Sequence, residues 1–352
     1  MSDAAENSLL KLRPLEESAV KMFFESVRPL REYFEAPDVA EIMVNDFRNV
    51  FIESRGKMHR LDLELNQSTL NGAILSLATS VEKSARAGTA QGIINAGHSN
   101  LRIAAVMRPT AIDGHAMSIR KHRDSTLSFA DYVSMGAFSR VNALDENARD
   151  IEFPQGIEND GVAEALRKLI VARKNILVAG GTSTGKTTFL NACVAEIPHE
   201  DRVISIEDTM ELKLQVPNRV RFLSNEEKGV STRLLVALCL RFRPDRIIVG
   251  EVRGAEINSM LEAWGTGHPG GICTIHSDTA TPIQALRRVD TLLRKANQVP
   301  IPELIADTIN LIVPIQAISY ETREGTRFRR LVPEVVTVLG FENGKYELER
   351  VA

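Results

Sequence analysis

The stretch ILVAGGTSTGKTTFLNACVAEI, Ile176 to Ile197, passes from a short apolar run through a glycine-bracketed turn into an amphipathic helical pattern. A buried strand that turns at glycine and goes straight into a helix is the repeating step of an α/β fold with a parallel sheet. The turn itself, Gly180-Gly181-Thr182-Ser183-Thr184-Gly185-Lys186-Thr187, fits G-x-x-x-x-G-K-[ST], and Thr188 extends it into the helix. In that setting, successive backbone N–H groups around the glycines form an anion cradle, and the helix directs its positive end at the phosphates. Lys186 adds a mobile ammonium, and the Thr187 hydroxyl is placed to meet Mg²⁺. The bland alternative is a glycine-rich turn that only joins two elements. The order strand, motif, helix favours a site for a nucleoside triphosphate, ATP, over the whole run from Gly180 to Thr188.

The text around this loop keeps the same rhythm. A helical stretch, GVAEALRKLIVARKN, precedes short apolar runs ILVAG, RVISIED, RIIVGE and GICTIH, which alternate with helical patterns starting near Thr187, Ser231, Gly254 and Thr281. Nearly continuous apolar strands separated by helices predict a mainly parallel sheet covered on both faces. The first part of the chain reads differently. Glu16 to Phe34 has the spacing of one helix, Ile42 to Leu65 alternates around the turn signals ND and SRGK, and Leu101 to Lys121 reads as two strands about Asp113-Gly114. Between them Ser68 is the expected N-cap of a helix and Gly88 its stop. The expected fold is therefore α/β: residues 1–138 as a smaller α+β domain, 139–160 as a polar, aperiodic linker, and 161–352 as the phosphate-loop domain.

Hydrolysis needs a group to orient water and a group to hold metal. Two acidic positions end apolar strands, where an open parallel sheet presents its ligands. They are Glu251 in RIIVGEVRG and the pair Glu207-Asp208 in RVISIEDTMEL. Each could equally be a cap for the next helix; two of them downstream of a phosphate loop favour chemistry. Glu251 is the choice for water activation through Mg²⁺, with Glu207 as second acid and competitor, and Asp208 as a metal ligand or an N-cap. His276 ends a further strand and suits a polar sensor near the γ-phosphate, against the commoner reading of a structural histidine. A metal site combining His268, Cys273 and His276 matches no zinc spacing.

Composition restricts what else the chain can be. A formal net charge of −3 gives no global reason to bind a polyanion, and the hydrophobic share of 43% supplies real cores. Cys193, Cys239 and Cys273 lie apart in apolar segments and read as reduced core thiols. The start, MSDAAENSLL, lacks a secretory pattern, and no window is apolar enough to cross a bilayer. Membrane work, if any, is expected to be peripheral; KMFF is a short apolar and basic patch that suits either lipid or core.

Taken in order, GGTSTGKTT, ISIEDTMEL, LRFRPDRIIVGEVRGAE and GTGHPGGICTIHSD resemble the Walker A, Asp box, Walker B and His box of the secretion ATPase superfamily, the traffic motors of type II and type IV secretion and pilus assembly. The resemblance extends from about Val39 to the end. It implies a RecA-like motor domain, a homohexameric ring, and arginines delivered from the first domain to the phosphates. Arg102 and Arg120 match that pattern, Arg108 less well, and Arg241 fits a role across a subunit boundary. The pilus and type II motors usually carry a tetracysteine insert that this chain lacks, and the wording around Walker B and the His box is closest to the conjugative-transfer ATPases of type IV secretion. The implied partners are inner-membrane secretion components and other ATPases of the system, with the protein cytoplasmic and peripheral on the inner membrane. Stable nucleic-acid binding is not expected. ATP would draw the first domain onto the motor through Arg102 and Arg120, with the linker as hinge. The rival readings are a RecA-like helicase or DNA-packaging motor, separated by stimulation with single-stranded DNA, and a nucleotide-gated scaffold, separated by phosphate release.

Overall fold

A computed structural model of the chain describes residues 14–54, 57–98, 100–121, 126–138, 160–277, 281–322 and 325–351. It divides into two units, Met1–Asp124 and Ser125–Ala352. The division falls at 124/125, not at the expected 138/139. The reason lies in the segment between: Phe129, Tyr132 and Phe138 are buried in the core of the second unit. The expected linker, 139–160, lies outside the described residues except for Asp160, where a helix begins.

In the first unit, α1 (Pro14–Ser26) is followed by a 3₁₀ turn (Arg28–Leu30) and α2 (Arg31–Glu35), where the sequence spacing predicts one helix. Pro29 lies in the first turn of that 3₁₀ segment and has no N–H to continue a ladder, so the helix breaks there. Next come β1 (Val39–Asp46), β2 (Asn49–Ser54) and β3 (Lys57–Arg60). Asp46 makes the first turn, its Oδ1 accepting the N–H groups of Arg48 at 2.7 Å and Asn49 at 3.0 Å. Helix α3 (Gln67–Ser80) is capped by Asn66 rather than by Ser68: Asn66 Oδ1 accepts from the Ser68 N–H at 2.9 Å. It also ends earlier than expected, at a Val81 C-cap, while Gly88 (φ +73°) serves a later loop.

Strands β4 (Ile93–His98), β5 (Leu101–Val106) and β6 (Ala116–Lys121) complete an antiparallel sheet of order β3-β2-β1-β6-β5-β4. Its period-two alternation sends Ile42, Val44, Ile94, Ile103 and Ile119 into one core shared with Phe23, Leu70 and Ile74 from α1 and α3. The opposite face is half-exposed and mixes charged residues with Met43, Phe51 and Ala104. On it Arg120 is the register partner of both Arg102 on β5 and Glu41 on β1.

The second unit begins with α4 (Phe129–Ser134), closed by a Ser128/Asp131 capping box, then α5 (Asp160–Val171), β7 (Ile176–Gly180) and α6 (Lys186–Ala195). The alternation continues through β8 (Val203–Glu207), β9 (Arg219–Leu223), α7 (Thr232–Cys239), β10 (Arg246–Val252), α8 (Glu256–Gly265), β11 (Ile272–His276), α9 (Pro282–Lys295) and α10 (Pro302–Thr308). Strands β12 (Leu311–Thr322), β13 (Gly325–Leu331), β14 (Val336–Glu342) and β15 (Lys345–Arg350) end the chain.

The sheet order is β15-β14-β12-β7-β11-β10-β8-β9, with β13 paired to β12. From β12 across to β9 every pairing is parallel. Successive side chains along a strand enter opposite faces, so β7 gives Leu177 and Ala179 to one core and Ile176 and Val178 to the other. Residues of α7, α8, α9 and α10 cover the first face, and residues of α4, α5 and α6 the second. Helix α6 is not amphipathic as its sequence suggests. Phe189 through Val194 are all buried, because α4 and α5 close over its outer side.

Candidate active site

Parallel strands carry their loops to one edge, and the order of strands decides which loops become neighbours. Strand β7 lies beside β11, β11 beside β10, and β10 beside β8. Along the carboxyl edge this sets the phosphate loop next to His276, the register partner of Gly180, then Glu251 near the end of β10 and Glu207 at the end of β8. The structure thus assembles in one row the phosphate loop, His276, Glu251 and Glu207. Arg102 and Arg120 form a separate pair on the half-exposed face of the first unit's sheet.

The loop has the backbone its glycines imply. A Cβ on Gly180 would meet Ile315 O at 2.5 Å, Ser183 has φ +60° and Gly185 φ +98°. Only glycine tolerates the first contact and only a turn of this kind uses the other two. Lys186 Nζ donates to Gly181 O at 2.7 Å and Thr184 Oγ1 to the same carbonyl at 3.0 Å, so the ammonium is parked on its own loop. Helix α6 starts from Gly185 with no side-chain cap. Its first-turn N–H groups therefore face the cradle, and Thr187 and Thr188 stand half-buried beside Lys186.

Glu251 is set by a feature the sequence does not announce. Val249 pairs with Cys273 and Val252 with Ile275, so an extra residue bulges from β10 at Gly250-Glu251. Thr274 Oγ1 pins the bulge by donating to Gly250 O at 2.7 Å, and Gly250 leaves room for Glu207, whose Cγ would lie 3.2 Å from an added Cβ. Arg253 grips what the bulge presents: Nη2 donates to Glu251 Oε2 at 2.6 Å, Nε to the same oxygen at 2.9 Å, and Nη1 to Asp208 Oδ2 at 2.6 Å. Sequence reading passed over Arg253. The signal was its place two residues after a strand-end acid, in a chain with a second acid ending the neighbouring strand.

Glu207 is held differently. Its Oε1 accepts the N–H groups of Glu211 at 2.7 Å and Leu212 at 2.8 Å, and Oε2 lies 3.7 Å from Arg221. Burial pushes its carboxyl above the usual carboxylate range, partly offset by those two N–H groups and Arg221. Asp208 turns outward to Arg253 and caps no helix. Of the remaining candidates, His268 lies in the loop before β11, and Cys273 is a buried free thiol that burial pushes far above its ordinary range. Among the described residues no three His, Cys, Asp or Glu side chains gather as a metal cluster. Arg241 sits in a turn before β10, at the opposite edge of the sheet from its own phosphate loop. Arg108 is exposed in the loop after β5, its N–H donating to His115 Nδ1 at 3.1 Å.

A glycine-cornered phosphate loop feeding an uncapped helix, with an acid on a bulge and a histidine in the next strand, defines a P-loop nucleoside triphosphatase. Comparison with known proteins narrows the class. The family described as type II/IV secretion system protein matches residues 39–324. A probable conjugal transfer protein TrbB from Sinorhizobium fredii is 33% identical over 89% of this chain and 87% of its own. A VirB11 protein from Rhizobium radiobacter is 28% identical over 83% and 89% respectively. The solved ATPase DotB of Legionella pneumophila shares the fold, with a TM-score of 0.57 at 19% identity over 88% of this chain and 80% of that one. The chain belongs to the type II/IV secretion system protein family, and it is a secretion ATPase that binds and hydrolyses ATP.

Proposed function

We propose that the chain powers substrate transfer or pilus assembly in a type IV secretion or conjugation system, as a RecA-like motor working in a homohexameric ring on the cytoplasmic face of the inner membrane. The conjugal transfer relatives support this reading over most of both chains. No helix among the described residues is long and apolar enough to cross a membrane, which fits a peripheral docking on membrane partners. The implied partners are further copies of the chain, inner-membrane components and other ATPases of the system.

The observation that carries the mechanism is the row at the carboxyl edge, phosphate loop, His276, Glu251, Glu207. In our reading the loop N–H groups and Lys186 hold the phosphates, and Lys186 leaves Gly181 O for them. Glu251 orients the attacking water, His276 senses the γ-phosphate from the neighbouring strand, and Glu207 supports the loop that carries Asp208. The Thr187 hydroxyl, Asp208 and Glu251 are hard oxygen donors of the kind Mg²⁺ takes, and Mg²⁺ is held by few protein groups besides phosphates and water. The metal would neutralise charge developing on the phosphates. Arg253 would have to yield one acid to it.

Arg102 and Arg120 lie side by side on the half-exposed face of the first unit's sheet with Glu41 as neighbour in register. We read them as the groups that a bound triphosphate recruits, so that turnover opens and closes the first domain on the motor. Lys186→Ala tests the whole: it should abolish steady-state phosphate release while circular dichroism and the nucleotide-free melting temperature stay unchanged. Undiminished release by that variant would overturn the assignment of the loop. The particle mass with and without a non-hydrolysable ATP analogue tests the ring, and a monomer under both conditions rejects it.

A further inference from the structure

Strand β12 does not stop where its parallel partner stops. Ile315 is the register partner of Gly180, and β12 then runs on to pair with β13, which places Arg330 opposite Ala317. The hairpin therefore rises past the phosphate loop from the β12 side, while His276, Glu251 and Glu207 follow one another on the other side. Arg330 is laid back onto the loop. A Cβ on Gly185 would sit 2.9 Å from Arg330 Cδ and 3.4 Å from its Nε. The glycine thus gives the arginine stem its seat as well as supplying the positive φ. The guanidinium charge also reaches Tyr132, whose ring meets Phe189 of α6 edge-on at 5.3 Å. Arg330 itself is exposed.

The uncapped start of α6 carries partial positive charge, and Lys186 adds a full ammonium in the same loop. With the Arg330 stem laid against Gly185, a polyanion in the cradle meets three positive groups at once. We propose that Arg330 is a nucleotide-binding residue supplied in the same chain by the β12–β13 hairpin, gripping the phosphates common to ADP and ATP. It differs in kind from Arg102 and Arg120, which answer to the triphosphate and belong to the other unit. The inference rests on the phosphate loop being the nucleotide site.

Calorimetric titration of the full chain with ADP and with a non-hydrolysable ATP analogue tests it through two substitutions. Arg330→Met keeps an unbranched stem over Gly185 and loses the charge; Arg330→Lys keeps the charge. Loss of one charge-assisted hydrogen bond should weaken both nucleotides about tenfold or more in Arg330→Met. Arg330→Lys should stay within about threefold of wild type, since it retains a point charge for phosphate. The nucleotide-free melting temperature of both variants should match wild type. Wild-type affinity in Arg330→Met overturns the proposal, because the side chain then only packs the loop. A fall in kcat with unchanged affinity overturns it too. Lys186→Ala separates the levels: binding lost there and kept in Arg330→Met rejects Arg330 alone, whereas binding that survives in both rejects the loop as the site.

Discussion

Arg253 Nη2 donates to Glu251 Oε2 at 2.6 Å while Nη1 of the same guanidinium reaches Asp208 Oδ2 at 2.6 Å, so one arginine ties the acids at the ends of two neighbouring strands. Left alone, the two carboxylates would repel each other. The fork also fixes Glu251, which otherwise hangs from a bulge. If Glu251 orients water, Glu251→Gln should lower kcat by about 10² or more with little change in nucleotide affinity, the usual loss of a general base. Arg253→Gln should cost roughly tenfold in kcat through lost orientation. Glu207→Gln keeps an oxygen for the Glu211 and Leu212 N–H groups and should cost less than Glu251→Gln. Steady-state phosphate release at saturating ATP ranks the three, and Glu207→Gln falling furthest would exchange the roles of the two acids.

Far from this edge, at the amino ends of the strands, Asp201 binds two arginines. Arg246 Nε donates to Asp201 Oδ2 at 2.6 Å, Arg246 Nη1 to Ile170 O at 2.7 Å, and Arg173 Nη2 to the other Asp201 oxygen. Arg246 is wholly buried and its Nη2 has no partner, so its charge depends on Asp201. Asp201→Ala should cost about 3–5 kcal/mol by leaving that cation uncompensated, whereas Arg246→Met paired with Asp201→Leu should recover much of the loss. Urea denaturation of the three variants is the measurement; an Asp201→Ala cost under about 1 kcal/mol, the range of surface pairs, would show that water already serves the arginine.

These two clusters mark what the sequence could and could not say. The phosphate loop, Glu251, Glu207 and His276 were legible because glycine, an apolar run and a polar residue at its end are all local signals. Arg253 joins Asp208 across strands, and Arg246 joins Asp201 from β10, pairings that no local pattern carries. In the sequence such charges read as solvated surface. Phe129 and Tyr132 show the same limit for packing: nothing local in the sequence says that they are buried against Phe189 rather than in the first unit. The Asn66 cap lost to Ser68 in the reading because both residue types cap equally well.

Trp264, the chain's one tryptophan, reports on the motor core. Its Nε1 donates to Ile247 O at 3.2 Å, and a Cβ on Gly271 would lie 2.0 Å from that nitrogen and 2.2 Å from Cε2. Neither a ring nor a strand carbonyl can retreat that far in a packed interior. Gly271→Ala should therefore destabilise the motor unit by about 3 kcal/mol or more, the upper range for overpacking. Its native fluorescence should shift to the red as the indole is pushed from its carbonyl. A wild-type emission maximum and denaturation midpoint would mean that β11 moves freely relative to α8.

The first unit carries its own pH dependence in His98. Ser80 Oγ lies 2.7 Å from Leu77 O, which can accept its proton, and 2.6 Å from His98 Nε2, in a hydrogen bond whose direction follows the histidine tautomer. Burial holds the imidazole below its ordinary value of 6.5. The unfolded chain then binds more protons than the folded one between the depressed value and 6.5, and stability rises with pH across that interval. Above it the contribution is constant; as pH falls through 6.5 it is lost, until the folded histidine itself protonates. Denaturation midpoints from pH 8 to pH 5, the span over which an ordinary histidine titrates, should fall on the acid side for wild type and fall less for His98→Gln, which keeps a hydrogen-bond partner for Ser80. Identical slopes for the two proteins would assign the acid sensitivity to other groups and leave His98 as packing alone.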